Sequence, residues 1–180
     1  MFRKEKHINK FLINWYCKNA RILPWRKIYK KDLLNPYFVF VSEYMLQQTT
    51  VNTVKAKFEA FIIKWPNFDK LAKATEPQIL KFWSGLGYYS RARNLLKAAK
   101  IIKKKYNNKL PTSYDELINL PGIGDYTAKA ILGIAFNKSV IPVDANIERI
   151  LVRINAINKP IFEVKSKIRI LAEKHKTDKY

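Results

Sequence analysis

Helix-breaking residues fall at short intervals along this chain, and that punctuation limits its possible folds more than any other feature. Pro24, Pro36, Pro66, Pro77, Gly85, Gly87, Pro111, Pro121, Gly122, Gly124 and Pro142 divide it into stretches of about 8–17 residues. Within those stretches apolar residues recur at helical spacing. In SRARNLLKAAKIIKKKY, Ala92, Leu95, Leu96, Ala99 and Ile102 share one stripe, while Arg91, Lys97, Lys100 and Lys104 lie largely off it. Only 5 residues are glycine, and no run alternates convincingly as a strand. The pattern is that of short helices joined by short loops, an all-α fold. With 180 residues, 48% of them hydrophobic, one domain or two small lobes can bury a core, and disorder is excluded.

Charge narrows the partners. Lys and Arg total 35 against 14 Asp and Glu, a net charge of +21. Such an excess suits a polyanion, either nucleic acid or an anionic membrane surface. The plainer alternative is that a Lys-, Ile- and Asn-rich composition places solvated charge on the outside. Cys17 is the only cysteine, which excludes an internal disulfide and a multi-cysteine metal site within this chain. No apolar run approaches the ~20 residues of a membrane span, and the N-terminal MFRKEKHINKF has no secretory apolar core. A cytoplasmic protein is the expectation.

Four motifs carry chemistry. In FVFVSEYMLQQTT, positions 38 to 50, Glu43 sits among Val41, Tyr44, Met45 and Leu46. A charged, unpaired carboxylate there is costly, so it must hold a proton or find a partner. In VDANIERI, Asp144 precedes a helix and has two readings: an N-cap, or a second carboxylate working with Glu43. The two roles are compatible. Two carboxylates in opposite environments, one buried and proton-bearing, one hydrogen-bonded and charged, suit cleavage of a glycosidic bond. In LPGIGDYTAKAI, Gly122 and Gly124 permit a tight turn into a helix starting near Asp125. That turn is either an ordinary connection or an anion site fitted to a DNA phosphate. In FWSGLGYYSRARNL, Gly85 and Gly87 flank a turn presenting Leu86, Tyr88 and Tyr89, followed by Arg91 and Arg93. It reads either as a device for base insertion and phosphate clamping or as a helix start with tyrosines on the core.

In this order, LPWR, PYFVFVSEYMLQQTTV, GLGYYSRARNL, LPGIGDYTAKAI and VDANIERIL, from about 23 to 155, resemble the helix-hairpin-helix DNA glycosylase superfamily. Within it, the chain looks like adenine DNA glycosylases of the MutY type. That resemblance implies a six-helix barrel module over 25–136, with the helix-hairpin-helix at about 115–132, beside a second helical lobe from 1–24 and 137–180. It implies removal of adenine opposite 8-oxoguanine or guanine in double-stranded DNA by base flipping. A monomer associated with the nucleoid is expected.

Residue by residue, the resemblance makes Glu43 the acid that protonates adenine and Asp144 the carboxylate that stabilises the oxocarbenium-like sugar, supported by Tyr126 and Asn146. Trp25, Arg26, Leu46 and Val51 would line the adenine pocket. Gln48, Thr49, Leu86 and Tyr88 would probe or wedge beside the opposing base, and Arg91, Gly122 and Gly124 would hold DNA. Endonuclease III-type relatives place a lysine in the hairpin motif where this chain has Tyr126. Lys129 lies one turn further on, so a monofunctional, water-using glycosylase is implied. The family also binds a 4Fe-4S cluster through four cysteines that would fall beyond residue 180. The chain therefore reads as truncated before that segment and before the family's C-terminal domain, and is expected to hold no cofactor itself. The alternative is a DNA-binding remnant without catalysis.

Overall fold

The computed structural model describes residues 10–26 and 34–176 with their side chains, and the backbone alone of 2–9, 28–30 and 33. The described residues form ten α-helices: α1 (Phe2–Asn19), α2 (Pro36–Leu46), α3 (Val51–Lys64), α4 (Phe68–Ala72), α5 (Glu76–Trp83), α6 (Tyr89–Tyr106), α7 (Tyr114–Ile118), α8 (Asp125–Phe136), α9 (Ala145–Ile154) and α10 (Ile161–Lys174). A 3-10 turn, Pro24–Arg26, and a two-stranded antiparallel ribbon, β1 (Ile28–Lys30) and β2 (Leu33–Leu34), join α1 to α2. The ribbon is too short to leave a strand alternation in the sequence.

The breakers act as stops and starts. Asn35 caps α2, with Pro36 opening the first turn, where a missing N–H costs nothing. Thr75 and Gln78 form a reciprocal capping box around Pro77 at the start of α5. Thr50, Asn67 and Ser113 cap α3, α4 and α7 with side-chain oxygens. Asn107 and Asn137 end α6 and α8 in the left-handed conformation.

Helix α2 is apolar on most sides because little of it meets solvent. Val39, Phe40, Val41, Tyr44 and Met45 are each at most 1% exposed, and α2 packs against α3, α6 and α8. Phe40 lies 5.0 Å from the Tyr44 ring and 5.1 Å from Phe68, while Phe61, Trp65 and Phe82 form a neighbouring aromatic group. Each such side chain contributes about 1.5–3 kcal/mol on burial. A second, smaller cluster of Leu151, Val164, Ile168 and Ala172 joins α9 to α10.

Candidate active site

Glu43 lies near the middle of α2 and is 8% exposed. Burial pushes its carboxyl up to about 7, and the nearby Arg26 guanidinium pulls it partly back. The acid thus carries a proton under near-neutral conditions, where an exposed glutamate does not. Asp144 is the N-cap of α9. Its Oδ1 accepts from the Ile147 backbone N–H at 2.9 Å, and its Oδ2 accepts from Asn146 Nδ2 at 3.0 Å. Arg149 donates to Asn146 Oδ1 at 3.0 Å, fixing the amide that holds the aspartate. The N-cap reading of Asp144 holds, and the capped carboxylate lines the same cavity as Glu43.

Tyr126, at the start of α8, stands in the field of both carboxylates. Its hydroxyl is raised first by partial burial, then by Glu43 and Asp144, with Arg26 opposing. Glu43, Tyr126 and Asp144 face one cavity of about 550 Å³, completed by Leu46, Gln47, Gln48, Tyr88, Ser90 and Arg91. That volume is in the range of small-molecule sites.

The hairpin between α7 and α8 is docked directly onto the helix of the acid. Tyr44 Oη donates to the Pro121 carbonyl at 2.5 Å, and Gln47 Nε2 donates to the Gly122 carbonyl at 3.1 Å. Gly122 has φ +82°, and a Cβ there would lie 2.8 Å from Asn94 Cβ. Gly124 begins α8 with no side-chain cap, leaving backbone donors at the helix start for another partner.

The remaining expected residues divide. Gln48 and Tyr88 are at the cavity mouth, both exposed and both left-handed, at φ 56° and 46°. Non-glycine residues rarely adopt this backbone, and it concentrates at functional sites. Thr49 is half-buried beside them, donating to the Leu86 carbonyl at 3.3 Å. Arg26 donates to the Tyr16 hydroxyl at 2.5 Å. Trp25 is 3% exposed, edge-on to Phe58 at 5.3 Å, and Val51 packs partly buried on the main core; neither lines the cavity. Two expectations need correction. Leu86 is not presented at a turn tip: its side chain is 4% exposed in the core. Arg91 is not a surface phosphate clamp: it is 6% exposed, and its guanidinium points inward to backbone carbonyls of Tyr44, Met45, Leu86 and Gly87. The sequence reading set Arg91 off the apolar stripe by its charge, but it lies one turn before the buried Leu95 on the same side of α6, with a local set of acceptors to satisfy it.

Three residues escaped the sequence reading. Gln47 lines the cavity and ties the hairpin; its place four residues after Glu43 puts both on one helix face. Ser90 lines the cavity with no sequence signal. Tyr16 reaches Arg26 from α1, a contact no local pattern announces.

A 4Fe-4S cluster would need four thiolates. The chain has one cysteine, Cys17, exposed on α1, and among the described residues no group of His, Cys, Asp and Glu could hold a metal ion. These residues do not fit a cluster. No helix among the described residues is long and apolar enough to cross a membrane.

The sequence and the fold that carry this site have known relatives. Residues 41–175 match the family described as HhH-GPD superfamily base excision DNA repair protein. The chain belongs to that superfamily. Within it, the chain is 49% identical over 148 residues to the adenine DNA glycosylase of Buchnera aphidicola subsp. Baizongia pistaciae, covering 82% of this chain and 41% of that protein. It is 38% identical over 164 residues to the human adenine DNA glycosylase, covering 87% of this chain and 30% of that one. The chain thus spans less than half the length of these relatives. A solved thermostable thymine-DNA glycosylase superposes with a TM-score of 0.82 at 26% identity, over 96% of this chain and 78% of that one. An endonuclease III–DNA covalent intermediate superposes at 0.72 with 21% identity, over 95% and 82%, and so shares the fold.

Proposed function

We propose that this chain binds duplex DNA and hydrolyses the N-glycosidic bond of adenine mispaired with 8-oxoguanine or guanine, after flipping the adenine out of the stack. The observation that carries this reading is the pairing of a proton-bearing, buried Glu43 with a capped, hydrogen-bonded Asp144 in one cavity. Similarity to adenine DNA glycosylases supports the choice of base.

In this reading, Glu43 transfers its proton to a ring nitrogen of adenine. The C1′–N9 bond then breaks, its electron pair leaving with the base. Asp144 faces the oxocarbenium-like sugar, Asn146 and the Ile147 amide hold it there, and water adds to C1′ as its proton passes to the Glu43 carboxylate. Tyr126 shares the cavity with both carboxylates. No amine is placed to attack the sugar from the hairpin: Lys129 Nζ is ion-paired with Asp125 at 3.0 Å. The reaction is therefore monofunctional.

Residues 25–136 are read as the module carrying Glu43 and the hairpin, and 1–24 with 137–180 as the lobe carrying Asp144. The uncapped start of α8 at Gly124 receives a DNA phosphate. Gln48, Thr49 and Tyr88 meet the base opposite the flipped adenine. The protein acts as a monomer in the cytoplasm, on the nucleoid.

The test is single-turnover excision on duplexes carrying adenine opposite 8-oxoguanine, guanine or thymine, and thymine opposite guanine. Release of adenine from the first two alone is expected. Binding without release of any base would instead support a DNA-binding protein without catalysis.

A further inference from the structure

Arg91 is committed to the protein rather than to a ligand. Its Nη1 donates to the carbonyls of Tyr44 at 3.2 Å and Met45 at 2.9 Å, and to that of Gln47. Its Nη2 donates to Thr49 Oγ1 at 2.9 Å and to the carbonyls of Leu86 at 2.7 Å and Gly87 at 3.1 Å. The guanidinium lies 5.6 Å from the Trp83 ring and 5.5 Å from the Tyr88 ring. Only Nε lacks a partner.

Three of these acceptors are carbonyls at the end of α2, which a helix C-terminus leaves unpaired and a cation satisfies. Two acceptors have a sharper meaning. The Gln47 carbonyl belongs to the peptide preceding Gln48, and the Gly87 carbonyl to the peptide preceding Tyr88. Those are the two residues at the cavity mouth held in left-handed backbone conformations. One planar fork thus bonds the peptide on which each strained φ turns, sharing the Gly87 carbonyl with Trp83 Nε1 at 3.1 Å, and it does so on two loops separated by about forty residues of sequence.

We propose that Arg91 is the positioning residue that holds Gln48 and Tyr88 together at the cavity mouth, setting the spacing of the two side chains that read the base opposite the excised one. The second half of this statement rests on the reading under Proposed function; the first half does not.

The test is Arg91→Lys, which keeps the charge but replaces the fork by a single ammonium. Amide hydrogen exchange is followed on the DNA-free full chain by mass spectrometry. Exchange in the 45–51 and 85–91 peptides is expected to accelerate together, on the order of tenfold, while the interiors of α3 and α8 stay as in wild type. Arg93→Lys, which alters an exposed ion pair with Glu76 at 2.8 Å, serves as control and leaves both segments unchanged. Excision by Arg91→Lys is expected to lose preference for 8-oxoguanine over guanine opposite adenine. Acceleration in one segment only, in neither, or uniformly across the chain would overturn the proposal. If Arg91→Lys does not fold, it is combined with Gln48→Gly and Tyr88→Gly, which remove the strain. Recovery of a folded chain then supports the proposal, and failure to recover overturns it. Coupled exchange in a protein that excises nothing would retain the strut and reject the glycosylase reading. Excision with unchanged exchange would do the reverse.

Discussion

The hydroxyl of Tyr44 donates to the carbonyl of Pro121 at 2.5 Å, so the residue next to Glu43 is bonded to the residue next to Gly122. Tyr44 is wholly buried, and burial raises its hydroxyl well above the ordinary tyrosine value, leaving it a donor at every physiological pH. The acid and the hairpin are thereby held in one rigid unit, and a displacement of either is felt by the other.

Gly122→Ala tests that unit. The left-handed backbone at φ +82° disfavours any side chain, and the new Cβ would meet Asn94 Cβ at 2.8 Å and Tyr44 Cε1 at 3.0 Å. A loss of about 2–3 kcal/mol in denaturant unfolding is expected from strain and crowding together, with weaker binding to duplex DNA. An unfolding midpoint equal to wild type would mean that the hairpin is free to move off α2.

Glu43→Gln keeps the shape and removes the proton. Excision should fall below detection while DNA affinity stays near wild type. Stability should move the other way. The carboxyl stands at about 7 folded against 4.5 for its ordinary value, so between those pH values the folded state holds a proton that the unfolded chain has released. Wild-type stability then declines as pH rises through that window, by up to about 3 kcal/mol in total. The variant escapes this decline: the two proteins should match near pH 4 and diverge in favour of the variant by pH 8. Wild-type excision should decline as pH rises through about 7. Parallel stability curves for the two proteins would show that Glu43 is not the titrating group.

With a net charge of +21, binding to duplex DNA should weaken steeply with salt, because each phosphate contact releases counterions. A titration from low to physiological salt measures the slope. An affinity insensitive to salt would assign the charge to solvation.

Borohydride added during reaction should trap no covalent protein–DNA adduct, since Tyr126 occupies the hairpin position and Lys129 is held by Asp125. A trapped adduct that disappears in Lys129→Gln would identify that amine as a nucleophile and remove the water-only mechanism.

Much of the scaffold was legible because it is written locally. Pro36 and Pro77 open helices, Asp144 caps one, and Gly122 takes a positive φ; each signal lies within four residues of its effect. Glu43 was legible for the same reason, as a carboxylate within an apolar run. What stayed hidden depends on contacts between distant segments. Arg91 lies 42 to 47 positions from its partners on the α2 side, and nothing nearby shows that those carbonyls need a cation. Leu86 sits between two glycines, which promise a loop but not whether its side chain turns out or in. Tyr16 meets Arg26 only because the chain after α1 turns at Pro24 and brings Arg26 back beside the helix.

Glu43 stands on the one wall of α2 that meets the cavity, yet burial is the largest influence on its carboxyl. Its proton affinity is therefore set by how completely the surrounding packing keeps out the water that would stabilise the anion. A packing defect several ångströms from any reacting atom, if it admits solvent, therefore acidifies Glu43. Core residues in this fold are constrained twice, once by volume and once by the titration curve they impose on a neighbour.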